Sequence, residues 1–381
     1  KLLVNRLYLY FMARIHVLFM GCFLLLQACQ FDTVKQHSNA NEKSGNTFFE
    51  NSDLEDSLIW VAAVGDIMYG TNFPDKRTIA PDSLDLFANV RSYFKDMDVV
   101  LGNLEGVIAD DTLLVPRDCQ VPEHCYRFRM PIHQASMLKN AGFNLLSIAN
   151  NHANDFKSTG RLSTQRVLDS LSLPFAGSSE RPYTSIETDK GVKIGLVAFS
   201  PNTGSVHLLR KDLVVETIAS VRPLCDVLIV SAHIGGEGLA FLNLTREDEN
   251  YVGEKRGNPY RFARMVVDAG ADVVIGHGPH VPRALDIYKG KLIAYSLGNF
   301  MTYSRVSVAN EMGYAPLLRI AVHQRTGAFV SGELISFIQG YRRPVRLDDQ
   351  MRALKLMERL TKEDFPASEI YFEGAKLHVS R

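Results

Sequence analysis

Tryptophan occurs once in the 381 residues, at Trp60, and net charge is absent, with 42 Lys and Arg against 42 Asp and Glu. The even balance leaves no basic footprint of the kind that holds nucleic acid, so no nucleic-acid partner is expected. Trp60 sits in an apolar run and is read as a core residue. Cysteine is scarce, at five, and no two form the close pairs that build a thiolate zinc site. No internal repeat is visible, which argues against a stacked-repeat architecture.

An apolar fraction of 46% supports a substantial core. The length suits one large α/β domain. From Met12 to Cys29 the chain reads "MARIHVLFMGCFLLLQAC". A basic start at Arg14, an apolar stretch and small Ala28 before Cys29 have the layout of a signal peptide. The ending "LQAC" resembles a bacterial lipobox, which makes Cys29 the expected lipidation site and the protein exported and lipid-anchored to the cell envelope. Met12 is a plausible start. Removing residues 1–28 takes away Lys1, Arg6 and Arg14 and no acid, leaving 39 bases, 42 acids and a net charge of −3. Residues 30–57 are polar and poor in apolar side chains, and are read as a tether. A disulfide is expected between Cys119 and Cys125, which flank "QVPEH" in a polar loop. Cys225 opens an apolar strand and is read as a buried thiol.

Beyond the tether, apolar strand-like runs alternate with helical patterns. Strands are expected at 58–65, 99–104, 143–149, 226–232 and 272–276. Helices are expected near 82–96, over 131–142, 158–171 and 259–270, and near 348–362, with Ser158 or Thr159 available as a cap. Hairpins are expected over 185–199 and 284–297. This order indicates a mixed α/β core. The domain is drawn over 58–340, with 341–381 as a C-terminal helix and tail. The segment 236–258 is long, polar and without a clear period, as functional or disordered loops often are.

The strand ends are what point to chemistry. Asp66 closes the first strand, and Asn103 and Glu105 close the second. Asn150, Asn151 and His152 follow the third, with Asp155 close behind. His233 ends a later strand, with Glu237 four residues on. His277 and His280 end another, and Asn299 follows the last hairpin. In an open α/β sheet, ligands bind outside the carboxyl ends of the strands. Carboxylate, amide and imidazole donors together suit zinc, manganese or iron. Two such ions can activate water and neutralise a phosphoryl-type transition state.

The motifs "VGDIMYG", "GNLEG", "YRFRMP", "AGFNLLSIANNHANDF", "DAGADVVIGHGPHV" and "YSLGNF", in that order over about residues 58–300, resemble the CapA (poly-γ-glutamate capsule synthesis) family. That family lies within the calcineurin-like metallophosphatase superfamily. The resemblance implies a four-layer α/β/β/α sandwich. It makes Asp66, Asn103, Glu105, Asn151, His233, His277 and His280 the metal-site residues, for one or two ions, or none. His152 is the general acid or base that assists the leaving group, and Glu237 orients a histidine or acts as base. Arg129, Asn150 and Asn299 are assigned to substrate. Departures from the superfamily pattern are Met68 where a histidine is expected, Asn103 where a bridging aspartate is expected, and His280 one residue late, after Pro279.

The function expected is an exported hydrolase tied to capsule or poly-γ-glutamate-type polymer synthesis. Its substrate would be an anionic polymer, phosphoester or γ-glutamyl compound, and capsule-synthesis membrane proteins would be further partners. The alternatives are a non-catalytic subunit that binds or anchors polymer, and a metal-independent acid–base enzyme on the same fold.

Overall fold

The computed structural model describes residues 57–110, 112–118 and 125–380; the leader, Cys29, the tether and Cys119 lie outside them. The strands that position the site are Leu58–Met68 (β1), Val99–Leu104 (β2), Leu145–Ser147 (β3), Lys193–Ser200 (β4), Val227–His233 (β5), Val273–His277 (β6), Lys291–Ala294 (β7), Asn299–Thr302 (β8), Tyr314–His323 (β9) and Phe329–Ile338 (β10). The main helices are Lys157–Ser170 (α1), Lys211–Val221 (α2), Pro259–Asp268 (α3) and Arg352–Asp364 (α4).

Two sheets result. In the first, β1 pairs in parallel with β2, and β2 with β3. The other edge of β1 takes β9, then β10, both antiparallel. In the second, β4, β5, β6 and β7 lie side by side and parallel. Strand side chains alternate between faces, and this sets the layers. Ile59, Val61 and Ala63 of β1 meet Ile194, Leu196, Ile229 and Ile275 in a core between the sheets. Ala62 and Val64 point the other way, into a core shared with Leu168 of α1. On the far side, Leu228 and Val230 of β5 pack against Val214 and Ile218 of α2 and Phe262 and Val266 of α3. Each such aliphatic side chain, fully buried, contributes about 1.5–3 kcal/mol. The order helix, sheet, sheet, helix is the expected four-layer α/β/β/α sandwich.

Both expected hairpins form, Tyr183–Glu187 with β4 and Leu285–Tyr288 with β7. The second turns through Lys289 and Gly290, both at positive φ (52° and 73°), the backbone that a two-residue hairpin turn demands. Several expectations are corrected. The helix expected near 82–96 is reduced to Arg91–Phe94. Neither Ser158 nor Thr159 caps α1, which starts at Lys157 with no side-chain cap; the Thr159 hydroxyl instead donates to the Phe156 carbonyl at 3.3 Å. Trp60 is only half-buried, because its strand position lies near the exposed end of the sheet, beside Asp98. Cys225 is a free thiol and also half-buried. Cys125 is disulfide-bonded. Since Cys225 is free, the partner of Cys125 lies outside the described residues.

Residues 341–380 are built into the sandwich. Leu354 and Met357 of α4 enter the core between the sheets, and Leu356 and Leu360 enter the outer one. The expected tail folds as a hairpin, Ile370–Glu373 with Lys376–Val379, and its second strand pairs β10 at Gly332 and Glu333.

Candidate metal centre and active site

Asp66 owes its place to the glycine before it. A Cβ on Gly65 would stand 2.0 Å from the Gly298 carbonyl oxygen. Without one, β8 closes alongside β1, and Asp66 N donates to that carbonyl at 2.9 Å. Asp66 is thereby in register with Asn299 on one side and Asn103 of β2 on the other. In the second sheet, His233 and His277 end β5 and β6 in register. His280 follows in a left-handed backbone conformation, φ 58°. A side chain pays about 1–3 kcal/mol for such a conformation, and here it returns the imidazole to Asp66.

The contacts are close. Asn103 Nδ2 donates to Asp66 Oδ1 at 2.8 Å. His280 Nδ1 lies 3.1 Å from Asp66 Oδ2 and 2.9 Å from Asn299 Oδ1. Both neighbours are acceptors, so Nδ1 carries the proton. His280 Nε2 is 3.7 Å from Glu105 Oε1 and 3.8 Å from Glu237 Oε2. His233 Nε2 is 4.0 Å from the same Glu105 oxygen. His277 Nδ1 stands 3.4 Å from Asp66 Oδ1 but is not aligned for a hydrogen bond.

Charge follows burial and neighbours. Burial opposes ionisation of Asp66, but the His277 and His280 rings hold its carboxyl well below the usual carboxylate range. Burial pushes Glu105 up to about 7, against the pull of His280. Burial would lower His280, yet Glu105 and Asp66 lift it to about 10. Burial drives His233 well below its ordinary value, so its ring is neutral, the form that binds metal.

Glu105 Oε1, Asn151 Oδ1 and both ring nitrogens of His233 and His277 are buried without a hydrogen-bond partner. Buried polar atoms are rarely left so. Ligand atoms of Asp66, Glu105 and His280 also lie within 4.8 Å of one another. Carboxylate, amide and imidazole form a donor set that a hard or borderline divalent cation accepts. The residues therefore fit a metal, with Asp66, Glu105 and His280 as the group best placed to hold it.

His152 stands beside this group. Its Nδ1 donates to Asp155 Oδ2 at 2.7 Å, which leaves Nε2 unprotonated or protonated at will, 4.0 Å from Glu105 Oε1. Burial opposes the imidazolium, but the Asp155 charge and hydrogen bond hold the His152 pKa above its ordinary value. Phe128 covers the ring, with centroids 4.3 Å apart. Asn150 acts as a strut: its Nδ2 donates to Asn103 Oδ1 at 3.1 Å and to the Leu104 carbonyl at 2.9 Å, and its Oδ1 accepts from His152 N at 3.1 Å. Asn151 Nδ2 donates to Glu237 Oε1 at 3.3 Å, so its orphaned oxygen is the atom left for a ligand.

The loop 236–258 is ordered rather than irregular throughout, with a hairpin of Glu249–Tyr251 and Glu254–Gly257. It is pinned by Glu249, whose two oxygens each receive an N–H of the fully buried Arg283 at 3.1 Å. The loop delivers Glu237 and Arg256, which meet at 2.9 Å. With Asn151, His152 and Arg117 these residues line a cavity of about 300 Å³ beside the centre.

The structure gathers Asp66, Asn103, Glu105, Asn150, Asn151, His152, Glu237, His233, His277, His280 and Asn299 at one edge. Asn150 and Asn299 are buried and bonded to protein groups, which makes them supports. Arg129 stands elsewhere: it is buried, with its guanidinium 5.7 Å from the Phe73 ring and 5.3 Å from the Phe156 ring, and it donates to Asn72. Arg117 and Arg256 were not singled out in the sequence. The only signal for them was the length and polarity of the loops that carry them.

A family model described as bacterial capsule synthesis protein PGA_cap matches residues 60–304. The PGA biosynthesis protein CapA of Bacillus subtilis (strain 168) is 26% identical over 65% of this chain and 64% of its own length. The capsule biosynthesis protein CapA of Bacillus anthracis is 27% identical over 65% of this chain and 60% of its own. The chain thus spans less than two thirds of either relative. Among solved structures, a phosphatase from Mycoplasma pneumoniae aligns with a TM-score of 0.45 at 16% identity, covering 78% of this chain and 96% of that one. The purple acid phosphatase PPD1 of yellow lupin aligns at 0.35 and 12%, covering 78% and 55%. The family match runs through every strand end described above, from Asp66 to Asn299, and the chain belongs to the bacterial capsule synthesis protein PGA_cap family.

Proposed function

We propose that the chain is a metal-dependent hydrolase of the cell envelope that acts on an anionic substrate, a phosphoester or γ-glutamyl compound, in capsule or poly-γ-glutamate-type polymer synthesis. The observation that carries this reading is the meeting of unpartnered buried ligand atoms from both sheets beside a carboxylate-backed histidine that lines the neighbouring cavity. The names of the two Bacillus relatives support the polymer, and the lipobox-like "LQAC" supports export and anchoring through Cys29.

When bound, a divalent cation held by Asp66, Glu105 and His280, with Asn151, His233 and His277 at hand, supplies Lewis-acid polarisation and an acidified water. The protein groups do the rest. Asn103 and Asn299 fix Asp66 and His280. Asp155 fixes the His152 ring, whose Nε2 passes a proton to the departing group. Glu237 turns the Asn151 amide so that its oxygen faces inward. Phe128 keeps water off the His152 ring.

The test is metal analysis of the purified protein, paired with phosphomonoester, phosphodiester and γ-glutamyl substrates. Metal-dependent turnover of one class, lost in Asp66→Asn, is the expected result. A metal-loaded protein that turns over none of them while binding poly-γ-glutamate would instead identify a polymer-binding subunit.

A further inference from the structure

The hairpin of Glu249–Tyr251 and Glu254–Gly257 has a cavity on each face. Strand side chains alternate between faces. Tyr251, Glu254 and Arg256 line the cavity of about 300 Å³ beside the metal centre. Asn250, Lys255 and Gly257 line a second cavity, of about 550 Å³. The register keeps the two sets apart, with Tyr251 opposite Glu254 and Asn250 opposite Lys255. The second cavity has an apolar floor of Leu208, Ile234 and Phe262, all buried, with Met265 of α3 beside them. Gly257, at φ 85°, presents bare backbone to that floor; a Cβ there would stand 3.0 Å from Leu208 Cδ1 and 3.2 Å from Leu209 Cδ2. Charge gathers at the rim. Glu249 is spent on the buried Arg283, and Asp248 answers Arg261 at 3.2 Å. Lys211, at the start of α2, and Lys255 are exposed, and neither has an ion-pair partner among the described residues.

We propose that this second cavity binds a small amphiphilic anion, with its apolar body on the floor and its head group at Lys211 and Lys255, and that its occupancy steadies the hairpin. The volume lies within the range of small-molecule sites, which are mostly apolar with a few polar groups that fix orientation. The sign of the ligand follows from the rim: two lysines are uncompensated there, and the one exposed acid, Asp248, already has a cation. A neutral ligand would use the floor alone. A cationic one would be repelled by both lysines. The site does not depend on the hydrolase reading, since neither lysine lines the cavity beside the metal centre. Its consequence reaches that cavity all the same. A ligand that packs on Asn250 and Lys255 holds the strands whose other face carries Tyr251, Glu254 and Arg256, so the segment pays less to be ordered there.

The probes are octanoate and 1-octanol, which share an apolar chain and differ in the charge of the head. Calorimetry gives their affinities for wild type, for the double variant Lys211→Gln with Lys255→Gln, and for Leu209→Glu, which sets an acid at the rim in place of an exposed leucine. Wild type should bind octanoate at least about 10-fold more tightly than octanol, the scale of one charge-assisted hydrogen bond. The double variant should lose that preference and keep octanol binding. Leu209→Glu should lose octanoate. All three changed positions are exposed, so the variants should stay folded. Amide exchange locates the ligand: octanoate should slow exchange over residues 249–257 in wild type and not in the double variant. No binding of octanoate, equal binding of octanol, or a preference that survives in the double variant would overturn the assignment. So would unchanged exchange over 249–257 with octanoate bound, which would place the ligand elsewhere. Sedimentation guards against a self-contact: a dimer that Leu209→Glu dissolves would make this face an interface between two copies and overturn the small-ligand site.

Discussion

Asp155 accepts from His152 Nδ1 at 2.7 Å and from Arg117 Nε at 2.8 Å, so one buried carboxylate fixes a histidine ring and a cavity loop together. Asp155 is what holds His152 above its ordinary pKa against burial. Asp155→Asn removes that charge, so the His152 pKa falls and the acid form is lost at lower pH. The alkaline limb of the kcat profile should move down in pH. His152→Ala should lower kcat by about 100- to 10,000-fold, the usual worth of a general acid, and Asp155→Asn by less. A profile whose limb stays put in Asp155→Asn would remove His152 from the proton transfer.

Cation binding should release protons. Glu105 is pushed up to about 7 and His280 to about 10 in the metal-free site, and both must be deprotonated at their ligating atoms. Affinity for Mn²⁺ or Zn²⁺ should therefore rise from pH 7 toward pH 10. Titration calorimetry in two buffers of different ionisation heat reads the proton count directly. An affinity independent of pH over that range would mean that neither residue ligates.

His280→Ala should abolish metal uptake while His277→Ala weakens it, because His280 belongs with Asp66 and Glu105 to the group whose ligand atoms lie within 4.8 Å of one another, and the buried His277 ring stands beside that group. Both variants should stay folded, as shown by circular dichroism and thermal unfolding. A folded His277→Ala protein with full metal content would make His277 a bystander.

The Arg283–Glu249 pair is a packing element of the loop 236–258 that borders the cavity. Glu249→Gln leaves a buried guanidinium uncompensated and should cost about 3–5 kcal/mol. Replacing both, Glu249→Leu with Arg283→Met, removes the stranded charge and should cost less. Urea unfolding of the two variants decides; a double variant weaker than the single one would contradict the account.

On the proposed export and lipid anchoring, Cys29→Ser should move the protein from the membrane fraction to the soluble fraction and leave its leader uncleaved, as mass spectrometry would show. A Cys29→Ser protein that remains in the membrane fraction with unchanged mass would rule out lipidation at that residue.

The strand ends could be read from the chain because each is an apolar run stopped by a polar residue, and β1 through Asp66 and β6 through His277 keep that pattern in the fold. The same runs indicated a mixed α/β core, and the four layers were expected only from the family resemblance. Arg283 and Glu249 could not be paired in advance: they are 34 positions apart, one in a loop with no period. Arg256 was hidden for the same reason. Arg129 was misleading because its neighbours Phe73 and Phe156 come from distant segments, and only their meeting makes it a stacked, buried residue. The left-handed turn at His280 likewise leaves no trace in composition, since glycine, not histidine, is the usual sign of such a backbone.

Asp66, Asn103 and Glu105 come from one sheet, or the loop just past it, and His233, His277 and His280 from the other. The apolar core between the sheets ends at this seam, and six polar side chains replace it. A cation there would fasten the two halves of the sandwich, adding about 1.4 kcal/mol for every tenfold excess of free ion over its dissociation constant. Chelation would then loosen the seam first, and amide exchange would quicken at the ends of β1, β5 and β6 before it quickens at the helices outside.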